Sequence, residues 1–256
     1  MKRSCIAAIV LTATTASLAQ AVGINLTWST GTVGCWPEKH TSLATWSCGN
    51  ETDGPWTFVA SFKMDAAKTD FTGVKVTIGG QAADAHLPDW WQLTNPGACR
   101  QNDLTLSADF TSALNQGCKD PFAGAATVTS VQFWTSLFPP PPPLNVPLPS
   151  RFSLRVVVQL PAPKSLSAAN EWYALRGTVD AGHTTVTQPV CSGCASTVYL
   201  GLVQVGVLGS TSSYAISTHL NNLCIGWQSW GDASLCQNSA TPARNPTWGL
   251  IKTLYR

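Results

Sequence analysis

The stretch RFSLRVVVQL, residues 151–160, decides the fold class of this chain because apolar residues occupy every second position. Phe152, Leu154, Val156 and Val158 would share one face of an extended backbone, and mostly polar residues would share the other. The run is also rich in valine, which favours strands. It therefore predicts a β-strand with one face in a hydrophobic core.

The same two-residue period recurs along the chain, between clusters of Gly, Pro, Asn and Asp. About nine strands are expected in all, with no long helical period, and this pattern favours a single all-β domain over residues 22–256. We expect a β-sandwich, immunoglobulin-like or jelly-roll-like. The clearest other runs are INLTWST (24–30), WTFVASFKM (56–64), FTGVKVTIGG (71–80), EWYALRGTV (171–179) and TVYLGLVQVGVLG (197–209).

Two segments break the alternation. The proline run at residues 138–150 cannot pair as a strand because proline lacks an N–H donor, so it predicts a polyproline loop between strand regions. A docking motif for a proline-binding partner is the alternative. The tail NPTWGLIKTLYR, residues 245–256, places Trp248, Ile251 and Tyr255 on one helical face and predicts a short C-terminal helix.

The N-terminus is typical of a signal peptide, residues 1–21. Lys2 and Arg3 precede an apolar stretch, and the small residues Ala19 and Ala21 flank a cleavage position. The apolar stretch is shorter than the roughly 20 residues that a membrane span needs, so no transmembrane anchor is expected. The mature protein is predicted to be secreted or periplasmic after cleavage near Ala21.

Charge is sparse and balanced. Charged residues make up 11% of the chain, and without Lys2 and Arg3 it holds 13 basic and 13 acidic side chains. A neutral chain lacks the basic balance of nucleic-acid-binding proteins, so no nucleic-acid partner is expected. No cofactor motif is recognisable either.

Eight cysteines follow Cys5, and an even number in an exported chain predicts disulfide-stapled loops. Sequence proximity favours local pairs. Cys191 and Cys194 also have the spacing of zinc or redox ligands, but no second Cys-x-x-Cys accompanies them, so no metal site is expected. The predicted pairs are Cys35–Cys48, Cys99–Cys118, Cys191–Cys194 and Cys224–Cys236.

Candidate catalytic groups are few. The chain has no Gly-x-Ser-x-Gly motif for a serine nucleophile. Glycoside hydrolysis needs two carboxylates flanking the scissile bond, and Asp84, Asp89 and Glu171 lie near tryptophans in the sequence. No pair is singled out, so no catalytic residue is assigned.

Tryptophan is abundant, with 11 residues. Its ring stacks on sugars when exposed and fills cores when buried. Trp90 and Trp91, in a loop between turn signals, and Trp227 and Trp230, in a polar segment, are the candidates for a ligand-binding surface. The alternative is that rings such as Trp90 and Trp91 close one end of the sandwich, with Arg100 stacked nearby.

Five stretches together resemble an uncharacterised family of secreted bacterial proteins. They are INLTW followed by Cys35 and Cys48, WWQL followed by GACR, EWYALRGTV, CSGCASTVYL, and the closing PTWGLIKTLYR. The resemblance covers most of the mature chain and implies export, a β-rich fold and cysteine staples. It implies no activity, since none is established for the family. The proline run at residues 138–150 departs from it.

These observations predict a secreted, non-enzymatic β-sandwich that serves as a binding or structural module of the cell envelope. A glycan or another cell-surface component is the expected partner. Carbohydrate binding or glycoside hydrolysis with exposed tryptophans is the alternative function. A further possibility is assembly through a free edge strand.

Overall fold

The computed structural model describes residues 22–29, 33–39, 41–111, 117–135 and 150–229. Within them the chain forms two β-sheets and two short helical turns, so the prediction of an all-β sandwich is confirmed. Several predicted features lie outside the described residues: the signal peptide, the proline run up to residue 149, the C-terminal helix, Trp230 and Cys236.

The smaller sheet has five strands in the order β1-β3-β9-β5, and β6 pairs with β9 as well. Its pairs are antiparallel except for β6 with β9. The strands are β1 (Gly23–Ser29), β3 (Trp56–Lys63), β5 (Leu104–Ser107), β6 (Cys118–Lys119) and β9 (Glu171–Val179).

The larger sheet has seven strands in the order β2-β12-β10-β4-β8-β7, with β11 paired to β10. The six alternating runs of the sequence all form strands of the two sheets. The strands are β2 (Leu43–Ala44), β4 (Lys68–Ala82), β7 (Thr127–Thr135), β8 (Arg151–Leu166), β10 (Val198–Gly209), β11 (Tyr214–Ile216) and β12 (Cys224–Trp227).

Register explains why the alternating residues form the core. Val76 of β4 lies opposite Val156 of β8, and Ile78 lies opposite Leu154. Residues opposite each other in a sheet share a face, so these side chains project together toward the smaller sheet. All four are buried. The polar residues between them, such as Arg155, therefore project from the outer face of the larger sheet.

Two short helical turns lie outside the sheets. Helix α1 spans Trp36–Lys39 and follows β1. The 3-10 helix η1 spans Asp89–Trp91 and lies in the loop that follows β4. In the described part of the chain, no helix is long and apolar enough to cross a lipid bilayer.

Candidate functional site

Three of the four tryptophans proposed for ligand contact are buried, and the fourth, Trp230, lies outside the described residues. Trp90 and Trp91 lie in η1, Trp227 lies in β12, and each has an exposed fraction of 0%. The interpretation of these three rings as exposed ligand contacts is therefore wrong, whereas the alternative that Trp90 and Trp91 close one end of the sandwich is confirmed. In a 3-10 turn, adjacent side chains do not alternate between faces as they do in a strand, so both rings of the pair point into the end of the sandwich.

Six tryptophans of the chain pack against one another and form one tryptophan cluster: Trp28, Trp46, Trp56, Trp90, Trp91 and Trp227. Trp227 is its centre, with ring centroids 5.2 Å from Trp90, 5.4 Å from Trp91 and 5.5 Å from Trp46. Trp28 and Trp56 complete its surroundings at 6.0 Å each. These spacings are those of favourable aromatic contacts. Stacking a sugar on Trp227 would require this packing to open.

Hydrogen bonds fix three rings of the tryptophan cluster. The indole N–H of Trp227 donates to the carbonyl of Cys194 at 2.8 Å, and that of Trp28 donates to the carbonyl of Gly226 at 2.8 Å. The N–H of Trp90 donates to the hydroxyl of Thr184 at 3.0 Å. These three donors are thus satisfied without a ligand, whereas the buried indole N–H groups of Trp46, Trp56 and Trp91 have no hydrogen-bond partner among the described residues.

Arg100 is buried against the tryptophan cluster. Its guanidinium carbon lies 3.6 Å from the ring centroid of Trp90, so the predicted stacking is confirmed. The guanidinium also donates to the carbonyls of Trp90 and Asp180 and pairs with Asp103 at 2.6 Å. Burial lowers the pKa of Arg100, and Asp103 opposes that shift by stabilising the cation. Arg100 thus joins η1 to Asp180, which follows β9, and to Asp103, which precedes β5.

The disulfides join segments that are distant in sequence, so the predicted local pairs Cys35–Cys48, Cys99–Cys118 and Cys191–Cys194 are wrong. Cys224 is also disulfide-bonded, and its predicted pairing with Cys236 stays a prediction. The observed pairs are Cys35–Cys118, Cys48–Cys194 and Cys99–Cys191, with sequence separations of 83, 146 and 92 residues.

Cys191 and Cys194 are close in sequence, but each is bonded to a different loop. Cys194 holds Cys48, near the tryptophan cluster, and Cys191 holds Cys99, next to Arg100. Neither sulfur is the free thiolate that zinc ligation or thiol exchange requires. One loop, residues 180–197, is thereby stapled to two others at this end of the sandwich.

Glu51 also contacts the loop of residues 180–197. Its carboxylate accepts hydrogen bonds from the backbone N–H groups of Thr185, Val186 and Thr187, at 2.7, 2.9 and 3.1 Å, and from the Thr187 hydroxyl at 2.5 Å. Donors converging on a carboxylate favour its charged form. They lower the pKa of Glu51 to about 2.

This contact predicts an acid-sensitive contribution to stability. Replacing Glu51 with glutamine should destabilise the protein at neutral pH. Because the folded-state pKa is depressed, the contribution of Glu51 is fully present above about pH 4.5 and is lost as the pH falls toward 2. Urea unfolding of the wild type and Glu51→Gln at several pH values measures this. An equal difference in unfolding free energy at pH 7 and pH 2 would contradict the prediction.

Two candidate acids line an open cleft of about 460 Å³ beside η1. Asp84 and Asp89 share it with His86, Ser192 and Ser196. The hydroxyl of Ser192 lies 3.4 Å from the Asp89 carboxylate. The lining mixes these polar groups with the apolar residues Ala85, Leu87 and Pro88, and the tryptophan cluster does not contribute to it. The cleft thus lacks the aromatic surface that the glycosidase hypothesis expected beside the acids.

Glu171 does not line this cleft. It is buried in the smaller sheet, where its carboxylate accepts hydrogen bonds from Asn25 at 2.8 Å and Ser61 at 2.6 Å. The sulfurs of Cys35 and Cys118 lie within 4.8 Å of it, but they form a disulfide. The three candidate acids are therefore not brought together, and Glu171 serves a structural network.

Comparison of the chain with models of known protein families, with curated proteins and with solved structures gave no match. The resemblance to secreted bacterial proteins therefore stays a prediction from the sequence.

Proposed function

We propose that this chain is an exported, non-enzymatic β-sandwich module that works at the cell envelope by assembling with further copies of itself through strand β7. The observation that carries the proposal is the position of β7. It is nine residues long and ends the order of the larger sheet. Within the described residues, β8 is its one hydrogen-bonded neighbour. An edge strand of this kind offers backbone donors and acceptors to another strand.

The sequence of β7, TVTSVQFWT, lacks the residues that usually block an edge, although the register of β7 with β8 shifts once, between Val128 and Ser130, so its regular part is Ser130–Thr135. Natural edge strands are commonly blocked by lysine, by proline or by an inward-pointing charge, and β7 contains no charged residue and no proline. Val131, at its centre, is 44% exposed although it lies opposite the buried Val156. Among the described residues, the edge thus combines backbone groups without a strand partner with exposed apolar surface.

The edge of the smaller sheet at β1 is different, because other segments occupy it. The N–H of Ile24 donates to the carbonyl of Thr218 at 2.9 Å, and the N–H of Leu220 donates back to Ile24 at 3.1 Å. At the other end, the N–H of Trp28 donates to the carbonyl of Thr41 at 2.8 Å. Since β1 is covered in this way, β7 is the better candidate for pairing between molecules.

A second copy fits the β7 edge. Two antiparallel strands of the same sequence can pair about a twofold axis, so the edge is complementary to itself. No like charges would meet there, and the chain without residues 1–21 carries no net charge. Nine paired residues would span about 30 Å. The result would be a continuous sheet across two molecules.

The disulfides support the compartment part of the proposal. Bonds of this kind persist in oxidising compartments such as the periplasm or the extracellular space. Three are present in the described residues. The basic and apolar N-terminal segment predicts the route of export.

Placing a charge on the edge tests the proposal. The wild type is expected to be dimeric or larger by size-exclusion chromatography with light scattering, and Val131→Lys is expected to be monomeric. The lysine would place an inward-pointing charge in the shared sheet, where it would lose solvation on pairing.

Val203→Lys is the matched control. Val203 is 37% exposed and lies in β10, an interior strand of the larger sheet, at the register shift of that strand against β4. The same change there should leave the association unchanged. A wild type that is monomeric up to its solubility limit, or equal effects of the two substitutions, would refute assembly through β7.

A further inference from the structure

Basic residues are concentrated in the larger sheet. Its strands contain one acidic residue, Asp70, and five basic residues, whereas residues 22–256 as a whole carry 13 basic and 13 acidic side chains. Asp70 is already paired with Lys68 at 2.6 Å. The other basic residues of the sheet, which have no ion pair with any described carboxylate, are Lys75, Arg151, Arg155 and Lys164.

Register places three of these cations on one surface. Arg151 and Arg155 alternate in β8 with the buried Phe152 and Leu154, so they project from the outer face. Lys75 of β4 lies opposite Val157, which shares the face of Arg155. The strand spacings put the Cα atoms of Lys75 and Arg155 about 8 Å apart.

Trp134 lies on the same face. It is opposite Ser153 in β8, whereas its neighbour Phe133 turns inward and stacks on Phe152. Trp134 is partly exposed, and the guanidinium carbon of Arg155 lies 5.1 Å from its ring centroid. This contact helps to orient the guanidinium across the sheet surface. We call Trp134, Gln132, Arg155, Lys75 and Arg151 the outer basic face.

We propose that the outer basic face binds an anionic polysaccharide. The partly exposed ring of Trp134 offers apolar surface to a sugar ring, and the nearby cations Arg155 and Lys75 match its carboxylates or sulfates. The amide of Gln132, opposite Arg155, can hydrogen-bond to hydroxyls.

The polar character of the face favours a glycan over a membrane. Gln132 and Arg155 are exposed, and Ser130 and Lys75 are partly exposed, so polar groups cover the surface around Trp134. Membrane-binding surfaces instead present apolar side chains to the acyl region. The site does not depend on assembly through β7, because it uses side chains of the face and not backbone groups of the edge.

Titration with polygalacturonate at low salt tests the site, with binding followed by calorimetry. Neutral dextran and vesicles of phosphatidylglycerol are the comparison probes. The wild type should bind polygalacturonate, and added salt should weaken the binding. Arg155→Gln should raise the dissociation constant about tenfold or more, since it removes one charge-assisted contact.

Arg176→Gln is the matched control, because Arg176 lies in β9 of the other sheet and the substitution removes the same charge. It should leave the affinity unchanged. Trp134→Phe should retain more affinity than Trp134→Ala, because it keeps an aromatic surface. The monomeric Val131→Lys variant should still bind, so failure of assembly and failure of glycan binding can be told apart.

Four results would overturn the proposal. They are the absence of binding to polygalacturonate, equal binding to dextran, equal losses in Arg155→Gln and Arg176→Gln, and tighter binding to phosphatidylglycerol vesicles. The last result would identify the face as a membrane-contacting surface.

Discussion

Trp227→Ala is expected to lower the free energy of unfolding by about 3–5 kcal/mol, the range for removing a large aromatic side chain from a core. Trp227 has an exposed fraction of 0% and touches every other ring of the tryptophan cluster. Its removal leaves a cavity and removes the shorter of the two hydrogen bonds to the carbonyl of Cys194, leaving the one from Gln228 at 3.3 Å. Urea unfolding with the disulfides intact measures the loss.

Trp134→Ala serves as the control, because the same substitution there affects a partly exposed ring on the sheet surface. It should cost clearly less than Trp227→Ala. Near-UV circular dichroism gives a second measurement, since the coupled rings of the cluster should lose signal on loss of Trp227. Trp227→Phe, which leaves a smaller cavity, keeps the comparison possible if the alanine variant does not fold. Equal stability of Trp227→Ala and the wild type would show that the cluster is not packed as described.

Arg100→Met is expected to cost about 3–5 kcal/mol, the usual effect of removing one partner of a buried ion pair. Methionine preserves much of the apolar bulk of the side chain but none of its donors. The carbonyls of Trp90 and Asp180 and the carboxylate of Asp103 would lose their partner together. Urea unfolding at neutral pH measures the loss.

Arg176→Met is the matched control for this substitution. Arg176 is partly exposed and makes a long hydrogen bond of 3.5 Å to Ser107. Its replacement should change the unfolding free energy much less. Similar values for the two variants would mean that Arg100 contributes only apolar contact. Restoring a cation with Arg100→Lys should recover little, because an ammonium group cannot reproduce the planar fork of donors.

Most of the fold could be predicted from local pattern. Alternation of apolar residues is a property of a few consecutive positions, so runs such as residues 71–80 and 151–160 identify strands without knowledge of the rest of the chain. The order of strands is not local. The pattern of these runs does not predict that β8 lies between β4 and β7, because many strands have the same alternation of apolar and polar residues.

The pairing of the cysteines and the burial of the tryptophans could not be predicted from local sequence pattern. Proximity in sequence favours Cys191–Cys194, but the fold brings Cys48 and Cys99 to that loop instead. For Trp90 and Trp91, the turn signals around the pair indicated a loop but not whether the loop closes over the core. Both outcomes depend on contacts between residues that are distant in sequence, such as the two disulfides and the packing of Trp90 on Trp46 and Trp227.

Trp134 of the proposed outer basic face was not among the predicted ligand-binding residues, because it is a single tryptophan outside the loops. A usable signal was present in the sequence. The strand runs that form the larger sheet carry Lys75, Arg151 and Arg155 on polar positions, and acids are almost absent from them. The balance of basic and acidic residues on each predicted strand face, unlike the balance over the whole chain, indicates the outer basic face.

The long-range disulfides also have a consequence for biogenesis. A chain that leaves the ribosome or a translocon from its N-terminus presents Cys48 and Cys99 well before Cys191 and Cys194 have been synthesised. During that interval the earlier thiols can pair only with one another, and of those pairs only Cys35–Cys118 is native. Any non-native pair formed in that interval has to be rearranged by thiol–disulfide exchange before Cys48 and Cys99 can reach their native partners.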